Sequence, residues 1–299
     1  MHFNLKFIFI CTIVLFGLLA ACVFVEGNQA VEQNPTVTAK QTPTVTVEQI
    51  PTVGAEQTPT IEEKHNPWKL VWQDEFNDFH FNKNNWVAEV NDWGGGNQEL
   101  QYYTDRSENV YVDNGLLYIV GRKESFLTRE YTSARLTSTR SWTYGRFEVR
   151  AKLPEGQGIW PSIWLRSVDL PYGPWPTSGE IDIMEMLGHE PTIIYGTLHY
   201  GSSWPDGQEN QGSTFLPSQG FHIFTLEWDV DEIRWYVDNR KYFTVDSWYS
   251  RGGDYPAPFD QPFNIVLNLA IGGTWPGNPD ESTLFPQKFL IDYVRVYQK

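Results

Sequence analysis

The sequence predicts an all-β protein, a two-sheet β-sandwich carried by roughly the last 230 residues. Three observations lead there. From Trp68 onward, short runs alternate apolar and polar residues and are separated by Gly, Pro, Asn and Asp. No stretch keeps a 3.6-residue apolar period over a helix's length, so any helix is expected to be a short turn. The chain also holds 13 Trp, 15 Tyr and 18 Phe, side chains that favour pleated, half-buried surfaces. The same rings suit a sugar-binding face, where flat C–H surfaces pack on aromatics.

The first 66 residues read as address and tether. Lys6 precedes an apolar run from Phe7 to Ala21, too short and too weakly flanked for a membrane span. It ends in Leu19-Ala20-Ala21-Cys22, which resembles a lipobox, a small-residue stretch before a cysteine that is lipidated and becomes the mature N-terminus. The expected segments are residues 1–22, a signal peptide with lipobox, and residues 23–66, a Pro/Thr-rich linker. An ordinary cleaved signal peptide is the alternative. In the linker, Pro35, Pro43, Pro51 and Pro59 recur every eight residues, each followed by Thr. Too few large apolar residues lie between them to bury a core, so an extended, semi-rigid spacer is expected. Such a chain is secreted and held at the cell surface by lipid on Cys22, its one expected contact with a membrane.

The formal net charge is −15, from 22 basic and 37 acidic residues. Long-range repulsion therefore opposes nucleic acid, anionic lipid and anionic polysaccharide. A neutral glycan is compatible. Both cysteines, Cys11 and Cys22, precede the linker, so residues 67–299 hold neither a disulfide nor a cysteine-based metal site. Within that domain the strand-like runs include Gly115–Val120, Gly145–Lys152, His222–Trp228, Ile233–Asp238, Phe263–Ala270 and Phe289–Tyr297.

The run Glu180-Ile-Asp182-Ile-Met-Glu185 is the most informative. Strand side chains alternate faces, so Glu180 and Asp182 share one face while Ile181 and Ile183 enter the core. Glu185 lies an odd number of positions from Glu180. On a regular strand it would point into the core, where an unpaired carboxylate is costly. A β-bulge near Ile183-Met184 returns it to the acidic face. Crowded carboxylates raise one another's pKa, which suits chemistry needing one ionised and one protonated group. A solvated acidic edge strand and a calcium site are the competing readings. The first would not need Ile on the opposite face, and the second usually draws on a Gly- and Asn-containing loop.

This stretch resembles the Glu-x-Asp-x-x-Glu signature of glycoside hydrolase family 16, in its laminarinase-like, bulged branch. The resemblance extends through Trp72-Gln-Asp-Glu-Phe, Gly96-Asn-Gln-Glu-Leu-Gln-Tyr-Tyr-Thr, Ser133-Ala-Arg-Leu, Tyr144-Gly-Arg-Phe-Glu-Val-Arg-Ala-Lys, Gly158-Ile-Trp-Pro-Ser-Ile-Trp-Leu, Leu267-Asn-Leu-Ala-Ile-Gly-Gly and Asp292-Tyr-Val-Arg-Val-Tyr. It implies a β-jelly-roll sandwich with a substrate cleft across its concave sheet. It implies endo-hydrolysis of 1,3-β-glucan with retention, Glu180 being the nucleophile, Glu185 the acid/base and Asp182 their coupling partner. No cofactor is implied for catalysis. Many members bind a structural calcium, and the matching positions are Asp292 and the backbone carbonyls near Glu75 and Gly115; the alternative is that Asp292 merely ends a strand.

Further cleft positions follow from parity and from the resemblance. Trp160 and Trp164 share a strand face and read as sugar platforms, with Ile159 and Ile163 filling the other parity. Pro161 between them points to an edge strand or a distortion. His199 is given a supporting role beside the acids. Asn97 and Glu99 follow three glycines that permit close backbone approach to a ligand. Arg135 and Asn268 match positions that fix glycan hydroxyls, and Trp275 is placed at the rim. The expected partner is a β-glucan polysaccharide, bound by a monomer. A non-catalytic glucan sensor would have lost the acids. Mixed-linkage glucan, galactan or xyloglucan remain alternative substrates.

Overall fold

The computed structural model describes residues 67–78 and 80–299. The expected signal peptide, lipidated Cys22 and octapeptide-repeat linker lie outside the described residues. Seventeen strands follow in chain order. They begin with β1 (Lys69–Asp74), β2 (Trp86–Ala88), β3 (Gln101–Tyr103), β4 (Val110–Asp113), β5 (Leu116–Phe126) and β6 (Arg129–Ser133). Then come β7 (Arg135–Trp142), β8 (Gly145–Lys152), β9 (Ile159–Ser167), β10 (Glu180–Glu185), β11 (Ile193–Gly201) and β12 (Gly207–Phe215). The last are β13 (His222–Trp228), β14 (Ile233–Val237), β15 (Arg240–Val245), β16 (Phe263–Ile271) and β17 (Gln287–Gln298). The one helical element among the described residues is a 3₁₀ turn at Gly94–Gly96.

The strands form two sheets, as the alternating runs predict. One has the order β15-β14-β13-β8-β17-β5-β6-β3, with β1 paired to β17 and β4 to β5. The other has the order β12-β11-β10-β9-β16-β7-β2. Every strand pairing is antiparallel except β3 with β6. Antiparallel strands bury one face and leave the other free, and here the free face of the seven-stranded sheet carries the site.

The inner faces meet over a core of Ile163 and Leu165 from β9, Ile181 and Ile183 from β10, and Leu267 and Leu269 from β16. Phe147, Val149, Phe224 and Leu226 face them from β8 and β13, and all ten are at most 1% exposed. Each such side chain contributes about 1.5–3 kcal/mol through removal from water. Truncating one of them, Leu267 for instance, to Ala costs about 2–5 kcal/mol, because the cavity only partly collapses.

β9 corrects one expectation. It is a central strand between β10 and β16, so Pro161 does not mark an edge. Leu269, opposite Pro161, donates its N–H to Ala134 on the β7 side. The pair is therefore not hydrogen-bonded, and Pro161 faces the β10 side. β10 ends at Glu185, opposite Ser162, one position before it could ask Pro161 for a donor.

Candidate active site

The expected bulge is present. Asp182 pairs with Trp164 and Met184 with Ile163, so β10 takes two steps where β9 takes one. Against β11 the same slip falls between Asp182, opposite Thr197, and Glu185, opposite Tyr195. Ile183 and Met184 both enter the core, and Glu185 emerges on the face of Glu180 and Asp182. A bulge disturbs the backbone ladder locally. Here the Asp182 carbonyl accepts a 2.8 Å bond from the buried indole N–H of Trp235, reaching across from β14. Gly196 makes room for that indole: a Cβ there would lie 2.5 Å from the Trp235 ring.

The three acids open into a cleft of about 410 Å³. Glu185 is 8% exposed and Asp182 4%. Glu185 accepts from the Trp160 indole N–H at 3.1 Å and from the Thr197 hydroxyl at 3.3 Å. Nε2 of His199 lies 3.2 Å from Asp182 and 3.9 Å from Glu180. The Asp182 contact is electrostatic only, since that carboxylate oxygen has no hydrogen-bond partner. On the other side of the ring, Nδ1 of His199 lies 3.7 Å from Glu209 on β12.

Burial is the main force on the titration of these groups. It pushes Glu180 up to about 7, helped by Asp182 and opposed by His199, Arg135 and a hydrogen bond from Trp175. Burial, then Asp182 and Glu180, hold Glu185 well above the usual carboxylate range, with His199 and the Trp160 N–H opposing. Burial and Glu209 do the same to Asp182. Glu180 is the acid with Arg135 among its opposing influences, so the charge is best tolerated there.

Each remaining expected residue has a definite place. Asn97, Glu99, Arg135, Trp160, Trp164 and Asn268 all line the cleft with the acids. Trp160 is 9% exposed and its N–H is committed to Glu185, which makes it an orienting group for that carboxyl rather than an open platform. Trp164 donates its N–H to Asn268 at 2.7 Å and packs under the Arg135 guanidinium, 4.7 Å from the ring centre. Arg135 is also 3.3 Å from Glu89. Trp275 sits at the rim, edge-on to Trp160 and to Tyr195. His199 touches two of the acids and lies against Trp175, which lines the cleft with them.

Gly95 and Gly96 line the cleft, and the glycine loop also makes room for a buried acid. Gly95, at φ +61°, approaches Glu99: a Cβ would lie 1.9 Å from its carboxylate. The buried Glu99 accepts from Gln101 at 2.6 Å and Tyr103 at 2.9 Å, and Tyr103 continues to Asn268 at 3.4 Å. Gln101 and Tyr103 escaped the sequence reading, although Glu99-x-Gln101-x-Tyr103 has strand parity. Trp93, Trp175 and Glu89 escaped too, and as loop or chain-distant residues they carry no periodic signal.

The positions expected to hold calcium come near one another on the opposite sheet. Asp74 pairs with Val294 and Leu117 with Ile291, which brings Glu75 and Gly115 to the stretch of β17 around Asp292. Asp292 is paired with Arg150. The other two expected donors are backbone carbonyls, which the ion pair of the Glu75 side chain with Arg295 does not engage. An oxygen-only set of this kind is of the type calcium takes, and the ion would replace the Arg150 guanidinium on Asp292. Among the described residues, the group of three ligand-bearing side chains within 4.8 Å of one another is Glu180, Asp182 and His199. Burial raises both carboxyls of this group, Glu180 to about 7 and Asp182 well above its usual range, which suits acid/base chemistry.

Comparison with known proteins agrees with this geometry. The model of glycosyl hydrolases family 16 matches residues 97–295. A model of beta-glucan synthesis-associated protein SKN1/KRE6/Sbg1 matches residues 2–168, ending before the acids. A beta-glucanase of Rhodothermus marinus is 44% identical over 246 residues, 77% of this chain and 85% of the relative. A glucan endo-1,3-beta-glucosidase of Cryptopygus antarcticus is 39% identical over 254 residues, 77% of this chain and 92% of the relative. The solved laminarinase catalytic domain of Thermotoga maritima superposes with a TM-score of 0.70 at 43% identity, covering 78% of this chain and 98% of that one. The chain belongs to glycosyl hydrolases family 16.

Proposed function

We propose that this protein is an endo-1,3-β-glucanase that cleaves laminarin-like glucan with retention of anomeric configuration. The observation that carries the reading is the bulge at Ile183, which gathers Glu180, Asp182 and Glu185 on one face of a cleft. Glu180 attacks the anomeric carbon and forms a glycosyl-enzyme. Glu185, kept protonated by burial, gives its proton to the leaving oxygen and then withdraws one from water. The Trp160 N–H holds the Glu185 carboxyl in place. Asp182, itself held protonated, buffers the charge that passes between the two glutamates, and His199 lends positive charge when protonated. None of these steps draws on a cofactor.

The exposed aromatics and the anchored Arg135 and Asn268 suit a neutral polysaccharide. A product profile across laminarin, lichenan and agarose tests the substrate. Internal cleavage of laminarin at the highest rate is expected, and faster cleavage of lichenan or agarose would reassign it.

We extend the proposal to location and assembly from the sequence alone. Lys6–Ala21 followed by Cys22 supports secretion and lipid anchoring, with the proline repeat as spacer and the enzyme acting as a monomer. Mass spectrometry of the mature N-terminus is expected to find diacylglycerol on Cys22. An unmodified N-terminus beyond Cys22 would refute the anchor.

A further inference from the structure

We infer that the loop between β11 and β12 carries an accessory glucan-binding platform, centred on Trp204, that continues the cleft past the acids. This rests on the glucanase reading above. Trp204 is 72% exposed, an unusual place for so large an apolar side chain. It does not stand alone. Its ring lies 6.0 Å from that of Trp175 at an interplanar angle of 33°, and Trp175 lines the catalytic cleft and lies 5.6 Å from His199. The two indoles therefore form a continuous aromatic path leading outward from the acids. Beyond it lies a second depression of about 770 Å³, walled by Trp204, Tyr249, Gln208 and Arg251. Flat rings rimmed by hydrogen-bonding side chains match a sugar chain: the rings take the C–H faces and the rim takes the hydroxyls.

The loop backbone that carries the ring is tied to its neighbours. The Trp204 backbone N–H donates to the Trp175 carbonyl at 3.4 Å, and the Ser203 hydroxyl lies 3.1 Å from that of Thr177. Gly207 packs so tightly on Pro176 that a Cβ would lie 2.4 Å from the proline ring. On the far side, Arg251 donates its backbone N–H to the Gly201 carbonyl at 3.0 Å. A loop backbone held in this way presents the indole without first having to be ordered. The occupant is the same 1,3-β-glucan chain, because the platform is continuous with the cleft through Trp175. The platform lies one ring beyond Trp175, so a chain that fills it gains a contact that a chain ending at Trp175 lacks.

The test is chain-length dependence. Steady-state rates are measured on laminarin and on a 1,3-β-linked tetrasaccharide for wild type, Trp204→Ala and Trp204→Phe, with a thermal melt of each. For Trp204→Ala, the ratio of kcat/KM on polymer to that on tetrasaccharide is expected to fall about tenfold, chiefly through KM on the polymer. Trp204→Phe keeps a ring and should recover most of the ratio. A ratio equal to wild type in a folded Trp204→Ala overturns the platform alone. A wild-type enzyme that cleaves neither substrate overturns the glucanase reading and the platform with it.

Discussion

The outer faces of the two sheets both carry carboxylates at alternate strand positions, yet they treat them in opposite ways. On the ten-stranded sheet, Glu227 of β13 lies 2.6 Å from Arg146 and 3.1 Å from Arg234, its neighbours on β8 and β14. Arg146 also reaches Glu148 at 2.6 Å, and Arg295 grips Glu75. Each of these acids has a guanidinium beside it, on a neighbouring strand for Glu227 and Glu75 and two positions back on the same strand for Glu148. On the seven-stranded sheet, Glu180, Asp182 and Glu185 are buried to a similar degree and have only His199 and the more distant, Glu89-bound Arg135 to offset them. Burial is similar; the supply of counter-charge differs. A paired carboxylate stays ionised and is structural. An unpaired buried one is pushed toward protonation, which is what proton transfer near neutral pH requires.

Substitution separates the two faces most widely. Glu180→Gln is expected to lower laminarin hydrolysis by at least about 10³-fold, because it removes the attacking oxygen. Glu227→Gln, equally buried but paired, should stay within a few-fold of wild type. Reducing-sugar release measures both, and similar losses would dissolve the contrast.

The pH profile of kcat/KM comes next. The acidic limb should fall where Glu180 gains its proton, near 7, and the alkaline limb where Glu185, held well above the usual carboxylate range, loses its own. A profile centred in the ordinary carboxylate range would show that burial does not govern the acids.

The smallest expected effect is on stability, and its sign is what matters. Glu180 is held at about 7 when folded against an ordinary value of 4.5. Between those values the folded chain binds more protons than the unfolded one. Stability therefore falls as pH rises through this window, and the full penalty persists above it. Glu180→Gln removes the penalty. It should stabilise the protein by about 1–3 kcal/mol above pH 7 and by nothing below about pH 4. Arg146→Met has the opposite sign: it takes the ion-pair partner from Glu148, leaves Glu227 with Arg234 alone, and should cost about 1–3 kcal/mol at neutral pH. Thermal melts across pH read both.

Period-two alternation made much of this legible beforehand. It placed Ile181 inside and Asp182 outside, and the misfit of Glu185 exposed the bulge before any coordinates did. The same parity put Trp160 and Trp164 on one face. What it could not reach was contact between distant segments. Nothing local tells that Trp160 gives its N–H to Glu185, that Trp235 caps the Asp182 carbonyl, or that Gly95 exists to admit Glu99. Trp175 and Trp204 sit in irregular loops, where no period marks a binding surface. Nor does anything local tell that Arg150 comes to lie beside Asp292.

The central claim is that Glu180 is the carboxylate that bonds to sugar. Incubation with an activated 2-deoxy-2-fluoro 1,3-β-glucoside slows the second step and allows the intermediate to accumulate. Peptide mass spectrometry should then find one glycosyl adduct, on Glu180. An adduct on Asp182 or Glu185, or product released with inverted configuration, would contradict the account.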